Sequence, residues 1–172
     1  REETTTLTLI PHVASQCSLP LIAAGGIASG KAMLSAMQLG AEGVQIGSRF
    51  AVAAESSAHQ HFKELVWNTP EGGTMLALKK IAPTRLIKNE FYNQVKTLED
   101  TGADVDHLKE LLGKGRAKQG IFEGDMTNGE LEIGQIASML HQEESVADII
   151  QDIIKEYNTC LRNCQNSPLL PE

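Results

Sequence analysis

Leu19-Pro20-Leu21-Ile22-Ala23-Ala24-Gly25-Gly26-Ile27 decides how this chain is read, and Gly43-Val44-Gln45-Ile46-Gly47-Ser48-Arg49-Phe50 echoes it. Each stretch couples a short apolar run, the mark of a buried strand, to small residues at the strand's C-terminal end, where backbone N–H groups can face a ligand. Between them, Ser29 to Leu39 carries Ala32, Met33, Ala36, Met37 and Leu39 at helical spacing, and Gly40 follows as a stop. The pattern predicts a βαβ unit with two parallel strands. Its two glycine-bearing ends could hold one phosphate. Gly25 and Gly26 allow close backbone approach, while Gly47 and Ser48 offer N–H donors and a hydroxyl. Gln45 can point toward the same mouth. Tight turns alone would account for the same glycines, and the pattern leaves both readings open.

Upstream, Leu7, Ile10 and Val13 predict a helix within Thr4–Gln16, with Thr4, Thr5 or Thr6 as cap. Pro11 is costly in a helix interior, so the expected start lies near Leu9 or Ile10. Downstream, a helix is expected over Ala58–Trp67, capped by Ser56 or Ser57, before the turn-rich Asn68-Thr69-Pro70-Glu71-Gly72-Gly73. Thr74–Leu78 reads as a strand. Lys79, Lys80, Arg85 and Lys88 form a basic cluster, either a solvated face or a rim for a phosphorylated cosubstrate. Helices are expected at Glu90–Thr101 and Asp104–Leu112. Gly113-Lys114-Gly115-Arg116 reads as a helix-ending turn, because the Walker pattern is absent. Glu130–His141 reads as a helix with Gly134 inside it. A glycine there costs about 1 kcal/mol relative to alanine, which points to packing or to close approach of a backbone or ligand. Ser145 and Asp148 form a capping box for an amphipathic helix marked by Val146, Ile149, Ile150, Ile153, Ile154 and Tyr157. Residues 158–172 read as a disordered tail.

The 172 residues allow one domain, or one plus an appendage. A net charge of -7 opposes a broad nucleic-acid footprint, so no nucleic-acid partner is expected. No apolar run approaches the ~20 residues a membrane helix needs. The chain opens Arg1-Glu2-Glu3-Thr4 without an initiating Met, and this start reads as internal to a longer protein. Cys17, Cys160 and Cys164 form no CxxC pair, which argues against a disulfide framework or zinc ribbon and makes a reducing cytoplasm the simplest setting. His59 and His61 have no evident third ligand, so a surface or capping role is expected rather than a metal site. His12, His107 and His141 read as ordinary.

Ala23-Ala24-Gly25-Gly26-Ile27-Ala28-Ser29-Gly30, followed by Gly40-Ala41-Glu42-Gly43-Val44-Gln45-Ile46-Gly47-Ser48-Arg49-Phe50, strongly resembles the FMN-dependent nitronate monooxygenases. Their relatives, the flavin-type enoyl-acyl-carrier-protein reductases II, share this pattern. Glu55-Ser56-Ser57-Ala58-His59-Gln60-His61-Phe62-Lys63, Glu123-Gly124-Asp125 and Gly129–Ala137 resemble later segments of the reductase-like members, so the resemblance covers most of residues 1–157. It implies an α/β fold: the C-terminal part of a (β/α)8 TIM barrel, its last two strand–helix units, followed by a mostly helical region. The implied domains are 1–67, barrel; 68–157, helical and substrate-side; and 158–172, tail.

The resemblance also implies that Gly26, Gln45, Ile46, Gly47 and Ser48 contact FMN, with Ala24 and Gly25 as neighbours. Gly134 and Gln135 are further flavin-side candidates. Ser48 stands where many members carry Thr, which keeps the hydroxyl. The family's catalytic histidine lies in a Gly-Gly-His stretch expected upstream of Arg1, so no catalytic residue is assigned within this chain. The implied activity is oxidative denitrification of alkyl nitronates by O2. The alternative is NAD(P)H-dependent reduction of an enoyl thioester, with acyl carrier protein as partner; a homodimer stays open. A third reading is a non-catalytic truncated fragment, marginally stable because absent strands would leave open edges.

Overall fold

A computed structural model describes residues 4–166 and contains the expected parallel pair. Strand β1 (Ile22–Ala24) lies beside β2 (Gly43–Gln45), with Ile22 opposite Gly43, Ala23 opposite Val44 and Ala24 opposite Gln45. The crossover is α2 (Gly30–Gln38), where the Ser29 hydroxyl accepts from the Ala32 amide at 3.2 Å. Ile10, Ala23, Ile27, Ala36 and Ala41 bury together as the core of this βαβ unit.

Helix α1 (Thr6–Ala14) begins earlier than the sequence led us to expect. The Thr5 carbonyl accepts from Leu9 at 2.9 Å, which sets the first turn. Pro11 sits inside the helix, where its missing N–H removes the bond to the carbonyl four residues back. Burial of Ile10 against the strand core offsets that loss.

After α3 (Ser48–Ala51), α4 spans Gln60–Trp67. Its cap is His59, whose Nδ1 accepts from the His61 amide at 3.2 Å; the expected caps Ser56 and Ser57 lie outside that role. Ser56 instead donates to the Ala51 carbonyl at 2.7 Å and accepts from the Ala58 amide at 3.2 Å, a local turn that ends before the helix. An antiparallel hairpin follows, β3 (Thr74–Ala77) with β4 (Thr84–Ile87), then α5 (Glu90–Asp100) and α6 (Val105–Leu112). Lys118–Phe122 forms one π-helical turn.

The expected helix over Glu130–His141 is not formed. Leu131 and Ile133 run alongside β4, with the Ile87 amide donating to the Leu131 carbonyl at 3.0 Å and the Ile133 amide to the Arg85 carbonyl at 3.2 Å. Both side chains are buried on one side of an extended segment, a period of two that overrides the helical reading. Gly134 is therefore extended (φ −71, ψ 163) and precedes a 3-10 turn at Gln135–Met139.

Helix α7 (Val146–Gln165) starts with the expected box: the Asp148 amide donates to the Ser145 hydroxyl at 3.1 Å. It continues well past the point where disorder was expected, so residues 158–165 are helical. Tyr157, Cys160 and Leu161 keep one face half-buried for a further turn, and no proline intervenes before Pro168. The rest of the expected tail, from residue 167, lies outside the described residues. Gly30 makes the seat for α7: a Cβ there would lie 2.2 Å from the Tyr157 nitrogen and 2.3 Å from the Ile153 carbonyl oxygen.

Two compact units result, divided differently from the 67/68 boundary expected. One is built from the chain up to Phe50 together with the chain from Glu144 onward; the other is Ala51–Glu143. The second unit has its own cores. One gathers Phe62, Val66, Ile87, Leu131 and Ile133, and the other Ala77, Leu86, Phe91, Val95 and Leu108.

Candidate functional site

Parallel pairing carries the ends of β1 and β2 to the same side, and the residues that follow each strand form the candidate site. Ala24 is opposite Gln45, both exposed. Gly25 (φ 97) and Gly26 (φ 73) then turn through backbone that L side chains rarely adopt, and the Thr6 hydroxyl donates to the Gly25 carbonyl at 3.3 Å. Gly47 differs from them. Its φ is not positive, and a Cβ built on it meets nothing within 4 Å among the described residues. Ile46 and Ser48 are half-buried, and Ser48 opens α3.

Ala24, Gly25 and Gly26 on one side, and Gln45, Ile46, Gly47 and Ser48 on the other, thus flank neighbouring strand ends. Exposed glycine backbone and a hydroxyl suit the phosphate of a nucleotide-like cofactor. The open space over Gly47 fits such a group, because nothing among the described residues itself requires glycine there. Gly134 and Gln135 belong to the second unit, at the start of its 3-10 turn, and the geometry described for the strand ends is that of the first unit alone.

Sequence reasoning passed over the residue with the densest contacts beside this site. Arg49, next to Ser48, is 8% exposed. Its Nε and Nη2 donate to Glu144 Oε2 and Oε1 at 3.0 and 2.8 Å, a bidentate fork. Nη2 also donates to Asp152 Oδ2 at 2.9 Å, and Nη1 to the Ala28 carbonyl at 2.9 Å. The hydrogen bond that Arg49 donates to Glu144, against the opposing cost of burial, and then the one it donates to Asp152 push the guanidinium's pKa further above its ordinary value. Its positive charge is matched within the protein. A signal existed in the Ser48-Arg49-Phe50 run, but a buried arginine cannot be told from an exposed one by pattern.

In the second unit the basic cluster is partly structural. Lys80 donates to the carbonyls of Ala103 at 2.7 Å and Gly102 at 3.4 Å, beyond the end of α5, and Arg85 reaches the Thr74 hydroxyl at 3.4 Å. A shallow pocket of about 360 Å³ is lined by Glu90, Asn93, Gln94, Thr97, Leu98 and Leu111, with one carboxylate and no partner for acid–base work. Among the described residues, no cluster of three His, Cys, Asp or Glu could hold a metal, and no helix is long and apolar enough to cross a membrane.

The family model "Nitronate monooxygenase" matches residues 1–156. A probable nitronate monooxygenase of Staphylococcus saprophyticus is 32% identical over 154 residues, 89% of this chain and 43% of the relative. One from Staphylococcus aureus is 30% identical over 160 residues, 91% of this chain and 44% of the relative. Among solved structures, FabK from Thermotoga maritima superposes with a TM-score of 0.88 at 32% identity, over 96% of this chain and 52% of that one. A nitroalkane oxidase from Streptomyces ansochromogenes gives 0.74 at 24% identity, over 95% of this chain and 48% of that one, a likeness of fold. The chain spans about half the length of these relatives.

Proposed function

The chain belongs to the nitronate monooxygenase family, an oxidoreductase family, and from that premise we propose that the ends of β1 and β2 hold the phosphate of FMN. One observation carries the reading: the exposed Gly47, whose side-chain space nothing among the described residues fills, beside the left-handed turn at Gly25 and Gly26. In this reading β1 and β2 belong to the last two strand–helix units of a (β/α)8 barrel, whose phosphate sites form at the C-terminal strand ends. Gly26, Gly47 and Ser48 supply donors to the phosphate, with Ala24, Gly25, Gln45 and Ile46 lining the approach.

The proposed reaction is oxidation of alkyl nitronates by O2. When bound, the flavin supplies the electron transfer. In this reading this chain's residues bind and orient the cofactor, and the histidine that assists substrate activation is the one that the resemblance implies in a Gly-Gly-His stretch. The test is purified protein containing this chain: flavin absorbance near stoichiometry, and O2 consumption with a simple alkyl nitronate, support the reading. Absence of both overturns it and favours a non-catalytic chain.

The FabK likeness favours a second reading, an FMN-dependent enoyl-thioester reductase using NAD(P)H, with an acyl carrier protein as substrate carrier. Glu55–Lys63 and Gly134-Gln135-Ile136-Ala137 lean the same way. NADH oxidation that depends on a crotonyl thioester, with nitronates ignored, selects it over the first.

A further inference from the structure

We propose that Arg49 is a positioning residue that holds both glycine-bearing strand ends in the conformation that accepts the phosphate, with α7 as its anchor. The inference rests on the FMN reading above. Arg49 follows Ser48 directly, so one strand end is tied to the guanidinium through the main chain. The other is tied by a hydrogen bond, because Nη1 donates at 2.9 Å to the carbonyl of Ala28, two residues beyond Gly26. The remaining donors go to Glu144, two residues before α7, and to Asp152 in its second turn.

A buried ion pair is a weak source of stability once the cost of desolvation is counted. What this one supplies is geometry: a planar fork that binds one carboxylate at two points, a second at one, and a carbonyl in a third direction. Lysine carries the charge but cannot reproduce the fork. Because two carboxylates already face Arg49, the guanidinium acts on the phosphate through the strand ends, and not as a free cation.

The test compares FMN with riboflavin, which has the same ring and no phosphate. Affinities for both are read from flavin fluorescence in the full chain and in Arg49→Lys, Glu144→Gln and Asp152→Asn. Arg49→Lys should raise the FMN Kd by about ten-fold, the loss of one charge-assisted contact, and leave the riboflavin Kd within about two-fold. Glu144→Gln should act in the same direction and serves if Arg49→Lys does not fold. Asp152→Asn should have the smallest effect, since that side chain is 57% exposed. An unchanged FMN Kd, or equal losses for FMN and riboflavin, would overturn the proposal and leave Arg49 a purely structural residue. If the unmodified chain binds neither flavin, the FMN reading itself fails, a result distinct from a failure in the variants alone.

Discussion

At Gly47 the backbone is ordinary and the space beside it open, whereas at Gly25 the backbone itself excludes other residues. In the proposed reading the two positions separate a ligand's demand from the chain's own. Gly47→Ala should leave the unfolding free energy within about 0.5 kcal/mol of the parent while weakening FMN at least about ten-fold. Gly25→Ala should cost about 1–2 kcal/mol, as residues forced into left-handed backbone do. Thermal melts and flavin titration on the same samples check both.

A different residue sets a pH dependence. Glu130 is buried, and no hydrogen bond to its carboxylate is found among the described residues. Burial first, then the nearby Glu132, push its pKa up, against the attraction of Arg116. The folded state therefore favours the protonated form. Its contribution is present below the ordinary carboxylate range and lost as the pH rises through its raised value. Glu130→Gln should accordingly raise the melting temperature at neutral pH, and the difference should vanish below about pH 4.

Elements were legible where one periodicity had no competitor. The βαβ unit could be read because Ile22–Ala24 and Gly43–Gln45 lie either side of a helix with a serine cap and a glycine stop. The box at Ser145 and Asp148 was local chemistry, visible in four consecutive residues. Other elements depend on partners distant in sequence. Leu131 and Ile133 face the same way only because β4 offers its edge, and β4 itself was hidden within a cluster of positive charge. His59 caps α4 through a ring nitrogen, a role that serine or threonine more often fills. Gly30 looked like ordinary helix-start glycine, yet α7 backbone occupies the space of its missing side chain. Because the obstacle is main chain, no rotamer relieves it. Gly30→Ala should cost about 1–3 kcal/mol in denaturant unfolding. Ser145→Ala should cost about 1 kcal/mol by loss of the cap.

On the scale of the molecule, the division of units could not be read from composition. The break at Asn68–Gly73 is rich in turn residues, but Phe62 and Val66 of α4 already belong to a core with Ile87 and Leu131. Nor does any local signal reveal that α7 returns to the unit of the first strands. A chain ended at Glu143 should lose flavin uptake, and its first 50 residues should become sensitive to limited proteolysis. Retention of both would refute the dependence on α7. The same discontinuity orders events in time. A ribosome releases the glycine-bearing strands before Glu144 and Asp152, which emerge only after all of Ala51–Glu143 has been made. At typical synthesis rates that delay is about 5–20 seconds. Throughout it Arg49 has neither carboxylate to meet, so in the proposed reading cofactor loading waits for the synthesis of α7.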